Sequence, residues 1–130
     1  MNFKPLTDNE EVIANKIVDS AYSVHQKLGP GLIEKIYEVC FCHDLTKRGL
    51  HYQRQAEIQI IYDGMIFDQG LRLDVLVEDL IICEIKAVEQ MNSLWRAQLL
   101  SFLKLTDKRL GFIINFNTEL IKNGIERIIL

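Results

Sequence analysis

Apolar residues recur every three or four positions in three parts of the chain, which predicts three helices. The segments with this period are residues 10–28, 32–47 and 88–105. Asp8 or Asn9 is expected to cap the first helix. The Gly-Pro-Gly segment at residues 29–31 should end that helix, and Gly49 should end the second, because glycine and proline interrupt helical backbone.

The remaining apolar segments are short and lie between turn residues, which predicts strands. They are residues 57–62, 65–67, 71–77, 81–86 and 110–116, with a further short strand after Gly124. Asp63 and Gly64 are typical of a hairpin turn, and Glu78 and Asp79 are expected to form another. Two helices, a run of strands, a helix and one or two more strands predict a mixed α/β domain with a central sheet.

The composition is that of one globular domain over residues 1–130, with 48% hydrophobic and 25% charged residues. No apolar run could span a membrane, and residues 1–9 do not resemble a signal peptide. Three cysteines without a Cys-x-x-Cys pair predict neither disulfides nor zinc, so a reduced cytoplasmic location is expected. The formal charge of −3 argues against a protein that coats nucleic acid non-specifically.

Two carboxylates interrupt strands that should be apolar: Asp74 in residues 71–77 and Glu84 in residues 81–86. If the hairpin closes symmetrically about Asp79, Asp74 and Glu84 lie opposite each other with Cβ atoms roughly 4.5–5.5 Å apart. Carboxylates this close repel each other, which invites a divalent cation. A turn shorter by one residue would break this alignment.

Lys86 follows Glu84 by two residues, so the strand period places both side chains on one sheet face. Two acids and a lysine are typical of a hydrolytic site in which a divalent cation activates water and the lysine orients it. The pattern Asp-x₉-Glu-x-Lys is short, however. It fits equally a hairpin with a solvated charged face or a Glu–Lys surface pair.

Two further polar residues lie beside apolar stripes. Glu34 stands near the start of the second helix, one turn before Tyr37, where a glutamate also stabilises the positive end of a helix. Gln98 aligns with the apolar stripe of the third helix, so its amide should either complete a core hydrogen bond or reach into a site. The residues of that predicted stripe are Met91, Leu94, Trp95, Phe102 and Leu105.

These residues fall within motifs that occur in a fixed order along the chain. Residues 31–37 read Gly-x-x-Glu-x-x-Tyr, and residues 24–30 lead directly into them. The later motifs are Arg72-Leu73-Asp74, Glu84-Ile85-Lys86, residues 98–103 and residues 111–116. The whole set resembles the GxxExxY proteins of the PD-(D/E)XK, or restriction-endonuclease-like, nuclease superfamily. The resemblance covers about the whole chain and implies an α/β restriction-endonuclease-like core with a central mixed β-sheet flanked by α-helices.

The resemblance also implies a role for each charged residue of the site. Asp74 and Glu84 are the expected ligands of Mg²⁺ or Mn²⁺, and the carbonyl of Ile85 is a further candidate ligand. Glu34 is the helical acid that joins the metal site, usually through water, and Lys86 positions the attacking water.

Three other residues match positions of the family motifs, but the resemblance implies a less definite chemical role for them. Gln98 matches the glutamine of a Gln-x-x-x-Tyr motif, but Phe102 stands where that motif has tyrosine. The resemblance places Gln98 among the expected catalytic residues, but no tyrosine hydroxyl is available one turn after it. His25 and Tyr37 have no assigned chemistry and are expected to pack.

The expected function is Mg²⁺-dependent hydrolysis of phosphodiester bonds, as an endonuclease or an exonuclease. DNA is the favoured substrate, and the sequence does not distinguish it from RNA. The alternatives are a catalytically silent module that binds a protein or nucleoprotein partner, and a homodimer whose paired sites cut two strands. A protein partner could also supply specificity. Basic side chains could contact phosphates if they share a face; the candidates are Arg54, Arg72, Lys104, Lys108 and Arg109.

Overall fold

The computed structural model describes residues 4–130, so residues 1–3 of the predicted domain lie outside the described part. Within that range the elements are α1 (Asp8–Leu28), α2 (Glu34–Lys47), β1 (Tyr52–Tyr62), β2 (Met65–Val77), β3 (Ile81–Lys86), α3 (Ser93–Thr106), β4 (Leu110–Asn115) and β5 (Ile125–Ile129). A 3₁₀ turn at Ile121–Asn123 precedes β5.

The five described strands form one mixed sheet in the order β1-β2-β3-β4-β5. Strands β3 and β4 are parallel, and α3 forms the connection between them. The other neighbouring pairs are antiparallel. The predicted α/β fold with a central mixed sheet flanked by helices is therefore confirmed.

Helices cover both faces of the sheet and bury a separate apolar cluster on each. The larger cluster joins α1 and α2 to side chains such as Val75, Cys83 and Ile85. The smaller cluster joins α3 to side chains such as Leu73 and Ile82. Because Ile82 and Cys83 alternate between the two clusters, β3 is buried on both faces, as its continuous apolar sequence requires.

The β2–β3 hairpin has the predicted register. The observed pairs are Val75 with Cys83, Leu76 with Ile82, and Val77 with Ile81. The hairpin is thus symmetric about Asp79, and its turn residues Glu78 and Asp79 both have left-handed backbone, with φ of 53° at each. This register places Asp74 opposite Glu84, one position beyond the last of these backbone pairs.

The ends of two helices differ from the sequence prediction. Helix α1 is capped by Thr7 rather than by Asp8 or Asn9, because Thr7 and Glu10 form a reciprocal capping box. Helix α3 begins at Ser93, not at residue 88, and the Asn92 side chain caps it by accepting a hydrogen bond from the Leu94 amide at 2.9 Å.

The first hairpin is longer than predicted. Strand β1 begins at Tyr52 rather than at residue 57. The sequence did not predict this earlier start, because the first half of the strand is polar and shows no apolar alternation. Strand β2 joins the segments 65–67 and 71–77 into one strand through Gly70. A side chain at Gly70 would place its Cβ 1.6 Å from the Ile58 carbonyl oxygen, so the close approach of the two strands requires glycine.

Tyr37 connects helix α2 to the turn that precedes it. Its hydroxyl donates to the Gly29 carbonyl and accepts from the Leu32 amide at 3.1 Å. Its ring stacks on Phe116 with centroids 4.8 Å apart. Tyr37 and His25 are both buried, which agrees with the expectation that they pack. Among residues 4–130, no helix has the length and apolar composition needed to cross a membrane.

The Tyr37→Phe substitution tests how much this hydroxyl contributes to the fold. We expect it to lower the free energy of unfolding by about 1–2 kcal/mol, because two backbone groups lose their buried partner. Urea denaturation followed by far-UV circular dichroism measures the change. Tyr22→Phe is the control, since Tyr22 is 44% exposed. Equal midpoints for the two variants would contradict the assigned role.

Candidate active site

Asp74 and Glu84 are joined by reciprocal hydrogen bonds at the point where the β2–β3 backbone pairs end. The Asp74 amide donates to Glu84 Oε2 at 2.9 Å, and the Ile85 amide donates to Asp74 Oδ2 at 2.8 Å. Each carboxylate thus accepts a hydrogen bond from a backbone amide, as the carbonyl of a neighbouring strand does in a regular sheet. These bonds hold the two carboxylates together, as the hairpin register predicts.

Both carboxylates lie in surroundings that disfavour their charged forms. Glu84 is only 7% exposed. Burial, followed by repulsion from Asp74, raises the pKa of Glu84 to about 8. Burial also raises the pKa of Asp74, against the opposing hydrogen bond from the Ile85 amide. A bound divalent cation would offset both the burial and the repulsion.

Lys86 shares a face of β3 with Glu84, and its ammonium group packs against helix α3. The Lys86 Nζ lies 4.4 Å from the centroid of the Trp95 ring, which is a cation–π contact. Lys86 also lowers the pKa of Asp74, Glu84 and Glu34, although other effects are larger at each. The lysine is therefore within electrostatic range of all three acids.

Glu34 is the first residue of α2 and is exposed. Its pKa is raised, first by partial burial and then by the charge of Asp74. The charge of Asp74 is therefore felt at Glu34, although no hydrogen bond joins the two acids among the described residues. A water-mediated role for Glu34 stays a prediction.

Gln98 is not on the buried stripe of α3. The buried residues of this helix are Leu99, Phe102 and Leu103, whereas Gln98 is exposed. The predicted stripe is wrong at Leu94 and Leu105, which are 70% and 46% exposed. The buried side instead includes Leu99, which packs directly over Gly111 of β4. Among residues 4–130, no hydrogen bond joins Gln98 to the acids, so its catalytic role stays a prediction.

Glu38 is an acid of this region that the sequence analysis missed. It is 5% exposed, and it accepts two hydrogen bonds from the Arg54 guanidinium at 2.8 and 3.1 Å. It lies one turn after Glu34, and its charge raises the pKa of Glu34, Asp74 and Glu84, although burial is the larger cause at each. The spacing Glu-x-x-x-Glu is present in the sequence, but a second glutamate on a helix is typical of ordinary surface charge.

Asn115 was also missed, because it appeared only as part of a strand motif. Its side chain is buried and makes two hydrogen bonds to the Val88 backbone, at 2.9 and 3.0 Å. The Phe116 amide donates to the Lys86 carbonyl at 2.9 Å. These bonds fix the chain as it leaves β3, and so they orient the backbone that carries Lys86.

Most of the basic residues considered as phosphate contacts have other partners. Salt bridges join Arg54 to Glu38, Arg72 to Glu57 and Lys108 to Asp79, and Arg109 donates to the Leu130 and Pro5 carbonyls. Lys104 is exposed on α3. Four of the five therefore have a partner within the protein, and contact of these residues with phosphate stays a prediction.

The residues present fit a divalent cation at the Asp74–Glu84 pair. Carboxylate oxygens are the ligands that Mg²⁺ and Mn²⁺ prefer, and two buried, mutually repelling carboxylates are stabilised by a cation. Across residues 4–130, no three Asp, Glu, His or Cys side chains converge closely enough to form a complete protein-only site. Such a pair suits Mg²⁺, which commonly uses one or two carboxylates and fills its other positions with water and phosphate.

Comparison with known proteins gives the family. The model of the PD-(D/E)XK nuclease superfamily matches residues 11–128, which include every element of the sheet and all residues of the site. The chain belongs to this superfamily. No curated protein and no solved structure matched it.

Glu84→Gln tests the electrostatics of the pair in metal-free protein. The pKa of Glu84 rises from its usual 4.5 to about 8 on folding, so the folded state binds this proton more tightly than the unfolded state. The stability that depends on this proton is fully present below pH 4.5 and is lost as the pH rises toward 8. We expect wild type to lose stability relative to Glu84→Gln across that interval, by at most about 1.4 kcal/mol per pH unit.

Urea denaturation in the presence of a chelator, at several pH values from 4 to 9, measures this difference. Glu89→Gln is the matched control, because Glu89 is an exposed glutamate close to the end of β3. Parallel pH profiles for wild type and Glu84→Gln would show that Glu84 titrates normally and would contradict the assigned environment.

Proposed function

We propose that this protein is a metal-dependent nuclease that hydrolyses phosphodiester bonds in DNA. The observation that carries the proposal is the pairing of half-buried Asp74 with buried Glu84, within electrostatic range of Lys86 and Glu34. Membership of the PD-(D/E)XK nuclease superfamily supports the reaction class. DNA as the substrate and Mg²⁺ or Mn²⁺ as the cofactor are parts of the proposal.

In this proposal each residue of the site has one task. Asp74 and Glu84 hold the cation, and Glu34 reaches it through water. The cation, when bound, lowers the pKa of water and neutralises charge on the scissile phosphate. Lys86, steadied by the Trp95 ring, orients the attacking water and stabilises the charge that develops on the phosphate oxygens. Gln98 is kept as a catalytic candidate that would meet the substrate from α3.

Assignment to the GxxExxY proteins within the superfamily is a further part of the proposal. It rests on the Gly-x-x-Glu-x-x-Tyr signature of residues 31–37, in which Tyr37 fastens the turn and Glu34 begins the helix. A cytoplasmic location, a homodimer and a specificity-supplying protein partner are expectations from the sequence. The formal charge of −3 favours such a partner.

The direct test is cleavage of single- and double-stranded DNA by purified protein with Mg²⁺, Mn²⁺ or chelator. Wild type should cleave only with metal, and Asp74→Asn and Lys86→Met should each slow cleavage roughly 10²-fold or more, since each removes charge stabilisation at the phosphate. The matched controls are Asp19→Asn and Lys27→Met, which change exposed side chains on α1.

Calorimetric titration of the same proteins with Mn²⁺ separates the remaining outcomes. Binding that is lost in Asp74→Asn and retained in Asp19→Asn is expected. A wild-type protein that neither binds Mn²⁺ nor cleaves DNA would overturn the proposal and favour a catalytically silent interaction module. Cleavage unaffected by Asp74→Asn and Lys86→Met would assign the activity to a contaminant.

A further inference from the structure

Gln55 has an unusual backbone for a residue inside a strand. Its φ is +51°, in the left-handed region that non-glycine residues rarely adopt. The pairs on either side, Arg54 with Val75 and Ala56 with Leu73, keep one register, which places Gln55 opposite Asp74. The left-handed residue therefore lies directly across the sheet from a proposed metal ligand.

Both strands change faces at this position. Val75 belongs to the cluster under α1 and α2, whereas Leu73, only two residues away, belongs to the cluster under α3. Tyr52 and Ala56 on β1 divide between the two clusters in the same way. Because residues two apart normally share a sheet face, the alternation is interrupted at Gln55 and Asp74. The left-handed backbone of Gln55 is thus part of the local geometry around Asp74.

The side chain of Gln55 anchors strand β1 to helix α2. Its Nε2 donates to Glu38 Oε1 at 2.9 Å, while Arg54 donates to Glu38 Oε2. Both oxygens of Glu38 are thereby fixed. Gln55 also lowers the pKa of Asp74, against the larger effect of burial.

We propose that Gln55 is a positioning residue that fixes strand β1 opposite Asp74 for cation binding, with the Glu38–Arg54 pair as its anchor. The inference rests on the proposed function, because it assigns the purpose of this anchor to the metal site. A primary amide suits this place, since it binds the Glu38 carboxylate without adding charge beside Asp74.

Two substitutions separate this role from a purely structural one. Gln55→Gly removes the amide and relieves the left-handed backbone, whereas Gln55→Ala removes the amide and keeps the unfavourable backbone. We expect metal-free Gln55→Gly to unfold at a urea concentration at or above that of wild type, and Gln55→Ala at or below it. Both should lose Mn²⁺ affinity and DNA-cleavage rate to a similar degree, about 10–100-fold.

Calorimetric Mn²⁺ titration, DNA cleavage and urea denaturation are measured on wild type, both variants and Gln53→Ala. Gln53 is an exposed glutamine on the same strand, opposite Leu76, and its replacement should leave Mn²⁺ affinity unchanged. Wild-type affinity in both Gln55 variants, or a loss confined to Gln55→Ala, would overturn the inference while leaving the proposed function intact. Absence of Mn²⁺ binding by wild type would overturn both.

Discussion

The site depends on one arrangement: two carboxylates held side by side where the backbone pairing of β2 and β3 ends. Asp74 and Glu84 each accept a backbone amide from across the hairpin, at 2.8 and 2.9 Å, and these bonds offset part of the cost of burying them. Burial still raises the pKa of both groups, and repulsion from Asp74 adds to the shift at Glu84 while repulsion from Glu38 adds to the shift at Asp74. The protein therefore holds two acids whose charged forms are disfavoured, and a divalent cation would favour those charged forms.

The surrounding structure keeps this arrangement in place from several directions. The two apolar clusters bury β3 on both faces, so the strand that carries Glu84 and Lys86 cannot shift without disrupting both cores. Asn115 fixes the chain beyond Lys86, and Trp95 packs against the lysine itself. On the opposite side, the Gln55–Glu38 hydrogen bond joins strand β1 to helix α2 directly across from Asp74. Rigidity of this kind is what a preorganised site needs.

The sequence predicted those parts of the fold that depend on local pattern. Apolar period located the helices, and symmetry about Asp79 gave the register that brings Asp74 to Glu84. Effects that depend on tertiary contacts were missed. The buried residues of α3, which are Leu99, Phe102 and Leu103, have ordinary helical spacing, and only their packing on the sheet distinguishes them from Leu94 and Leu105. Strand β1 begins in a polar segment whose pairing with β2 has no local signal. Glu38 and Gln55 looked like ordinary surface residues, since only the folded chain shows that Arg54 and Asp74 lie beside them.

The most direct measurement of the central claim is a crystal structure of the protein grown with Mn²⁺, with the ion located by its anomalous scattering. The account predicts one ion between Asp74 and Glu84, within about 2.5 Å of a carboxylate oxygen from each. An ion bound elsewhere, or a structure in which Mn²⁺ at saturating concentration leaves the Asp74–Glu84 pair without an ion, would contradict it.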